Sequence, residues 1–258
     1  MADLEKTYLR LLASGTGSEI EYPAPSMLAV TIIFLVAVLS VPVEAPQKLI
    51  WLSAYPIAAS EITGIGFRKI FIRSLWITPF LAMIGMFNPI LDTQTAFSIG
   101  NVAISTGWVS FVSILLRGLL SLQAVLILIS NIGFLNLFNA LRRIGLPKVL
   151  TTQLLLTYRY LSVIIEEAII MKRARKARGF GKKSYPLKDW GIFVGQLLII
   201  SSRKATEIHN AMLARGFSGT MPLGKALPMN SKGWFWIGIW TLIIILLRFV
   251  DFSTLILN

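Results

Sequence analysis

LPKVLTTQLLLTYRYLSVIIEEAIIMKRARKARGF, residues 146 to 180, starts apolar, turns strongly basic and runs into a glycine. Pro147 stands where a first-turn proline is favoured, basic side chains crowd the end, and Gly179 follows. The stretch predicts one long helix over 147 to 178. Residues 187 to 215 repeat its grammar: LKDWGIFVGQLLII, then the polar SSRKATEIHNAMLAR, then Gly216. The longest uncharged runs in the two stretches, 149 to 158 and 190 to 202, are too short to cross a bilayer, which takes about 20 residues of helix. The expectation is therefore two long helices outside the hydrocarbon, each about 45 Å if unbroken, packing through their front halves and presenting basic rear halves. A shorter amphipathic helix, FLNLFNALRRIG at 134 to 145, precedes them.

Outward from that pair the chain changes character. It is 55% hydrophobic and only 14% charged, with a mean hydropathy of +0.72, which is membrane-protein composition. Residues 132 to 232 hold 17 Lys and Arg against Glu166, Glu167, Asp189 and Glu207, so the whole net charge of +13 lies there. The positive-inside rule makes this segment cytoplasmic, together with Lys6, Arg10 and the cluster Arg68, Lys69 and Arg73. Residues 92 to 107 have no basic residue and are expected outside. Spans near 26 to 43, 46 to 63 (with Pro56 inside it), 71 to 91, 108 to 131 and 233 to 250 then alternate, with the N-terminus in and the C-terminus out. Trp234, Trp236 and Trp240 open the last span as an interfacial belt would. The fold class expected is an all-α integral membrane protein of about five transmembrane helices plus a cytoplasmic domain. Its parts are 1 to 131 (N-terminal region and four spans), 132 to 232 (cytoplasmic helices) and 233 to 258 (final span). MADLEK lacks a basic n-region, so no cleaved signal peptide is expected. With no cysteine, disulfide and thiolate-metal chemistry is excluded.

KARGFGKKS, 176 to 184, superficially resembles a phosphate-binding loop. A Walker loop needs glycine five residues before its Gly-Lys and Ser or Thr directly after, and Lys176 and Lys183 occupy those places. ARGF recurs instead, at 177 to 180 and 214 to 217, with the arginines 37 residues apart. One such motif reads as a helix C-cap, with arginine complementing the dipole and glycine taking the left-handed turn. Two, at equivalent ends of two basic helices, read as a docking device. Ala174 and Ala177 precede the first turn and Ala211 and Ala214 the second, and small residues let another surface approach an arginine fork.

With RKATEIHNAMLARGF at 203 to 217, the opening stretch resembles the transmembrane T component of energy-coupling factor (ECF) vitamin and metal importers, the EcfT/CbiQ family. ITPFLAMIGMFNPIL at 77 to 91 and LLRGLLSLQAVLILI at 115 to 129 are similar to its membrane spans, so the likeness covers most of 70 to 220. The wording of the long helices is most similar to members serving cobalt or nickel uptake. The resemblance implies that Ala177, Arg178 and Gly179, with Ala214, Arg215 and Gly216, end two coupling helices and engage grooves on two cytoplasmic ABC ATPases. It also implies a separate membrane substrate-binding S component, a prokaryotic plasma-membrane location, and no cofactor in this chain, ATP being bound by the ATPases. Many members carry Asp-Pro-Arg-x-Lys before the first span, where this chain reads EYPAPSMLA.

Chemistry-bearing residues are sparse, and neither catalytic nor metal-ligating residues are expected, nor a nucleic-acid partner. The one histidine, His209, lies between Glu207 and Asn210 on a polar helix and reads as solvated. Arg117 is the basic residue well inside an expected span, a functional candidate by default, with snorkelling as the alternative. Arg159, two turns before Glu166 and Glu167, is expected to pair with another helix. Three other readings stay open. The permease of a conventional ABC importer would normally offer one coupling loop per subunit; an intramembrane enzyme would need a nucleophile or metal constellation; a lipid-binding basic face would leave the repeated ARGF unexplained.

Overall fold

Three prolines decide where the apolar N-terminal half breaks. In the computed structural model, which describes residues 23–43, 45–92, 95–99, 102–178, 187–221 and 231–249, α1 covers Ala24–Leu39. It is followed by α2 (Pro46–Leu52), α3 (Ala54–Ile62), α4 (Phe67–Leu75), α5 (Thr78–Gly85) and α6 (Asn88–Leu91). Leu52, Leu75 and Gly85, where α2, α4 and α5 stop, each lie four residues before a proline: Pro56, Pro79 and Pro89. A proline has no N–H for that carbonyl and its ring crowds it, so the ladder opens there. The α4 to α5–α6 break bends the chain by 49°.

A two-stranded antiparallel hairpin follows, β1 (Thr95–Ile99) with β2 (Val102–Ser105). It lies in the stretch expected as an outside loop and, among the described residues, is the one β addition to an otherwise helical fold. Then come α7 (Thr106–Ile144), α8 (Lys148–Arg178), α9 (Leu187–Ala214) and α10 (Ser231–Phe249). Gly133 kinks α7 at φ 69°, ψ 162°. Residues 134 to 144 thereby become the expected amphipathic helix, as a continuation of α7. The described residues fall into two compact units divided at that glycine: residues up to 133 with α10, and residues 134 to 221.

Length and apolarity qualify α7 and α10 as membrane spans, and the bent α4 to α6 rod as a third. The other two expected spans are shorter rods: α1 has 16 residues, and 46 to 63 is split at Ser53 by Pro56. All five segments nevertheless alternate in direction within their unit. α1 and α10 are parallel, Gly233 facing Pro23 and Ser26 at one end while Arg248 donates to the carbonyls of Ala37 and Ser40 at the other. α7 runs against α1, Ser113 Oγ donating to Val43 O at 2.7 Å while Ile127 and Asn131 come beside Met27 and Thr31. α7 also runs against α4–α6: Gly107 abuts Asn88 and Asp92, Gly118 abuts Leu81, and Gln123 donates to Ser74 Oγ.

The core of this unit is aromatic. Phe34 stacks on Tyr55 at 4.2 Å between centroids, and Tyr55 meets the edge of Trp240 at 5.0 Å, joining α1, α3 and α10. Val30, Val38, Leu49, Leu52, Ile70, Leu120 and Ile244 close around them. The hydroxyls of Ser26, Thr31 and Ser60 bond back along their own helices, to Pro23 O, Met27 O and Ile57 O, the usual answer where no water reaches.

Arg117 finds its partner in this unit. Half-buried, it donates through Nη2 to Val41 O at 2.6 Å, just past α1, beside the carbonyls that Arg248 takes. Two guanidinium groups thus hold the open C-terminal end of α1, where carbonyl dipoles attract positive charge. Arg117→Ala is expected to lower stability by about 1.5 to 3 kcal/mol, the worth of a hydrogen bond to a charged group, read as thermal unfolding of detergent-purified protein. Arg117→Lys should restore part of it.

Candidate coupling site

The second unit is built on α8 and α9, which lie antiparallel. Arg175, near the end of α8, holds Asp189 at the start of α9 by a 2.8 Å ion pair and donates to its main-chain carbonyl at 2.7 Å. Farther along, Lys204 pairs with Glu167. At the far end Met221 N–H donates to Thr152 Oγ1 at 3.3 Å, tying the chain beyond α9 to the first turn of α8. The expected packing of front half on front half is therefore wrong: the front of α8 lies beside the rear of α9. Only residues 179 to 186 separate the helices, so α9 starts where α8 ends and returns along it. Its apolar front is left open, Trp190, Leu198 and Ile199 being 52, 68 and 70% exposed.

This reversal fixes where the two motifs lie. Ala177 and Arg178 are the last residues of α8 and both are exposed; Gly179 lies outside the described residues. Ala214 ends α9, and Arg215 and Gly216 follow at the opposite end of the pair. From Thr152, beside the second turn, to Arg178 is about 40 Å of helix at 1.5 Å per residue. Ala174, Ala211, Ala214 and Arg215 are exposed as well. Among the described residues neither Arg178 nor Arg215 has a carboxylate partner.

The second turn shows why its glycine is there. Gly216 has φ +80°, its N–H reaches Leu213 O at 3.0 Å, and Phe217 N–H reaches Met212 O at 3.0 Å. This double bond pattern with a left-handed glycine is the Schellman stop. A Cβ on Gly216 would meet nothing within 4 Å, so the backbone angle, not space, excludes other residues. The C-cap reading and the docking reading are thus compatible, since the cap leaves Arg215 outward at the tip. Gly216→Val should cost about 1 to 2 kcal/mol locally, read as thermal unfolding of the detergent-purified chain, whereas Gly216→Asn, which takes the same angle more readily, should cost less.

Other candidates fall into place. Arg159 lies 5.9 Å from the ring centre of Tyr160, and among the described residues it makes no ion pair with another helix, Glu167 being taken by Lys204. His209 is exposed on α9, and among the described residues no three His, Cys, Asp or Glu side chains gather as a metal site would require. Sequence reading missed the clamp of Arg248, the pin at Thr152 and the place of Phe217; the repeated ARGF had flagged Phe217 without giving it a role.

A family model described as CbiQ, cobalt transport protein, matches residues 21 to 225. The chain is similar to the cobalt transport protein CbiQ of Salmonella typhimurium, 41% identical over 70 residues, which are 27% of this chain and 31% of that protein. An uncharacterized protein of Methanocaldococcus jannaschii is 28% identical over 141 residues, 53% of each chain. A second protein from that organism is 30% identical over 83 residues, 31% of this chain and 28% of its own. The chain spans from about a third to about half the length of these relatives.

Proposed function

The chain belongs to the CbiQ cobalt transport protein family, and from that membership we propose that it is the energy-coupling membrane subunit of an ECF-type importer. Two cytoplasmic ABC ATPases bind ATP and close. Arg178 and Arg215, each docked on one ATPase, carry that motion into α8 and α9, and the membrane helices pass it to a separate substrate-binding S component. The cargo is cobalt, the metal in the name of the family and of the Salmonella relative. No chemical step and no ATP or metal site is assigned to this chain; it works by moving. The N-terminus and residues 132 to 232 face the cytoplasm of a prokaryotic cell and the C-terminus faces out.

The observation that carries this reading is the placement of the two arginines at helix ends. Both are exposed, both lack a partner among the described residues, and they close opposite ends of one antiparallel pair about 40 Å apart. A single docking loop needs no such pair. Two separate ATPases do, one at each end. The open apolar front of α9 supports the same reading, because a helix that shows Trp190, Val194, Leu198 and Ile199 needs apolar cover from membrane or membrane partner.

Division of labour is testable directly. The isolated chain, dialysed against labelled ATP and cobalt, is expected to show only weak, salt-sensitive association, and ATP-dependent uptake into vesicles should require the ATPase pair and the substrate binder together. Saturable micromolar binding of cobalt by this chain alone would place the substrate site here and defeat the reading.

A further inference from the structure

A groove of about 440 Å³ runs between α8 and α9 and ends at the second arginine turn. Its walls are apolar, Val149, Leu156 and Tyr160 from α8 against Ile208 and Met212 from α9, and Phe217, the residue after Gly216, closes the end. That volume is in the range of ligand-holding clefts, and its polar rim includes Lys204 and His209.

Arg215 poses an energetic question that this groove answers. A fully solvated arginine–carboxylate pair is worth less than about 1 kcal/mol, too little to transmit force. Strong contacts arise when water is excluded around the charge by apolar burial next to it. The Schellman turn places Arg215 between Met212 and Phe217 in sequence, and both of these line the groove while Arg215 stays exposed. The exposed guanidinium of Arg215, which has no carboxylate partner among the described residues, calls for an acidic partner, and the walls beneath call for an apolar side chain beside that acid.

Building on the docking reading above, we propose that the ATPase at this end inserts an apolar side chain into the α8–α9 groove, next to the carboxylate that pairs with Arg215. The pairing is then desolvated by the partner's own residue.

The test fills the groove from its wall. Ala205 lines it, yet is exposed on α9, so Ala205→Phe occupies the space without entering a core. In the co-expressed complex, Ala205→Phe is expected to weaken ATPase binding at least tenfold, or about 1.4 kcal/mol, and Ala205→Ser to leave it unchanged. If Ala205→Phe binds as wild type while Arg215→Glu does not, docking stands and the groove proposal falls; if both bind as wild type, docking itself falls. Because the chain has no cysteine, Ala205→Cys gives a second readout through a small maleimide. It should react freely in the isolated chain and be protected only when ATPases are bound. Protection without ATPases means lipid or another membrane protein fills the groove, and equal reactivity with and without them means nothing does; either result overturns the proposal.

Discussion

Arg178→Glu combined with Arg215→Glu is expected to strip the proposed ATPases from the complex and end ATP-driven uptake, while the chain still folds and inserts. Neither arginine supports the fold: both are exposed at helix ends with no carboxylate partner among the described residues. In a partner groove each would form a desolvated, hydrogen-bonded charge pair, whose disruption costs about 2 to 5 kcal/mol, much of it from the charge left unpaired. Reversal adds repulsion. Each single reversal should therefore weaken its ATPase by roughly 30-fold or more, and the double should leave ATPase activity uncoupled from uptake. Lys182→Ala with Lys183→Ala, in the stretch outside the described residues, removes charges expected to be solvated and should change binding by less than about 1 kcal/mol. Vesicle uptake with the purified complex reads all three.

The second large effect lies in the membrane unit. A Cβ on Gly107 would sit 2.6 Å from the carbonyl oxygen of Asp92, 2.7 Å from Pro89 Cα, and closer still to the carbonyl oxygen of Asn88. All three are main-chain atoms and cannot rotate away. Gly107→Val should therefore force α6 off the start of α7, at about 3 kcal/mol or more, the upper range for overpacking. Gly238→Ala, where nothing lies within 4 Å, is the control. Thermal unfolding in detergent should fall clearly for the first and not the second; equal stability of both would mean that α6 does not pack against α7.

What was legible in the amino-acid order follows from which forces act locally. Uncharged runs and the basic block are one-dimensional quantities, so an all-helical membrane fold with apolar segments around a basic block could be read directly. Helix breaks were readable in part: Pro56 was taken into account, yet Pro79 and Pro89 obey the same missing-donor rule and cut 71 to 91 into pieces. The β1–β2 hairpin also had its signal, since Gly100-Asn101 between two β-prone runs is a two-residue hairpin pattern. The charge pattern of the segment does not reveal it. Packing was harder. Two helices of similar grammar invite a front-to-front pairing, but the short connection from Arg178 to Leu187 imposes the reverse. Contacts such as Arg117 on Val41 O or Met221 on Thr152 span 76 and 69 residues, and nothing local announces them. The motif residues themselves were visible by repetition, whereas the groove beside Arg215 exists only once the antiparallel pair is formed.

The central claim is that one chain couples two ATPases through two arginine turns at opposite ends of a helix pair. Native mass spectrometry of the affinity-purified membrane complex tests it most directly. Wild type should carry two ATPase subunits per chain, each single arginine reversal one, and the double reversal none. A double-reversal complex that keeps both subunits, or a wild-type complex that never contains an ATPase, would contradict the account.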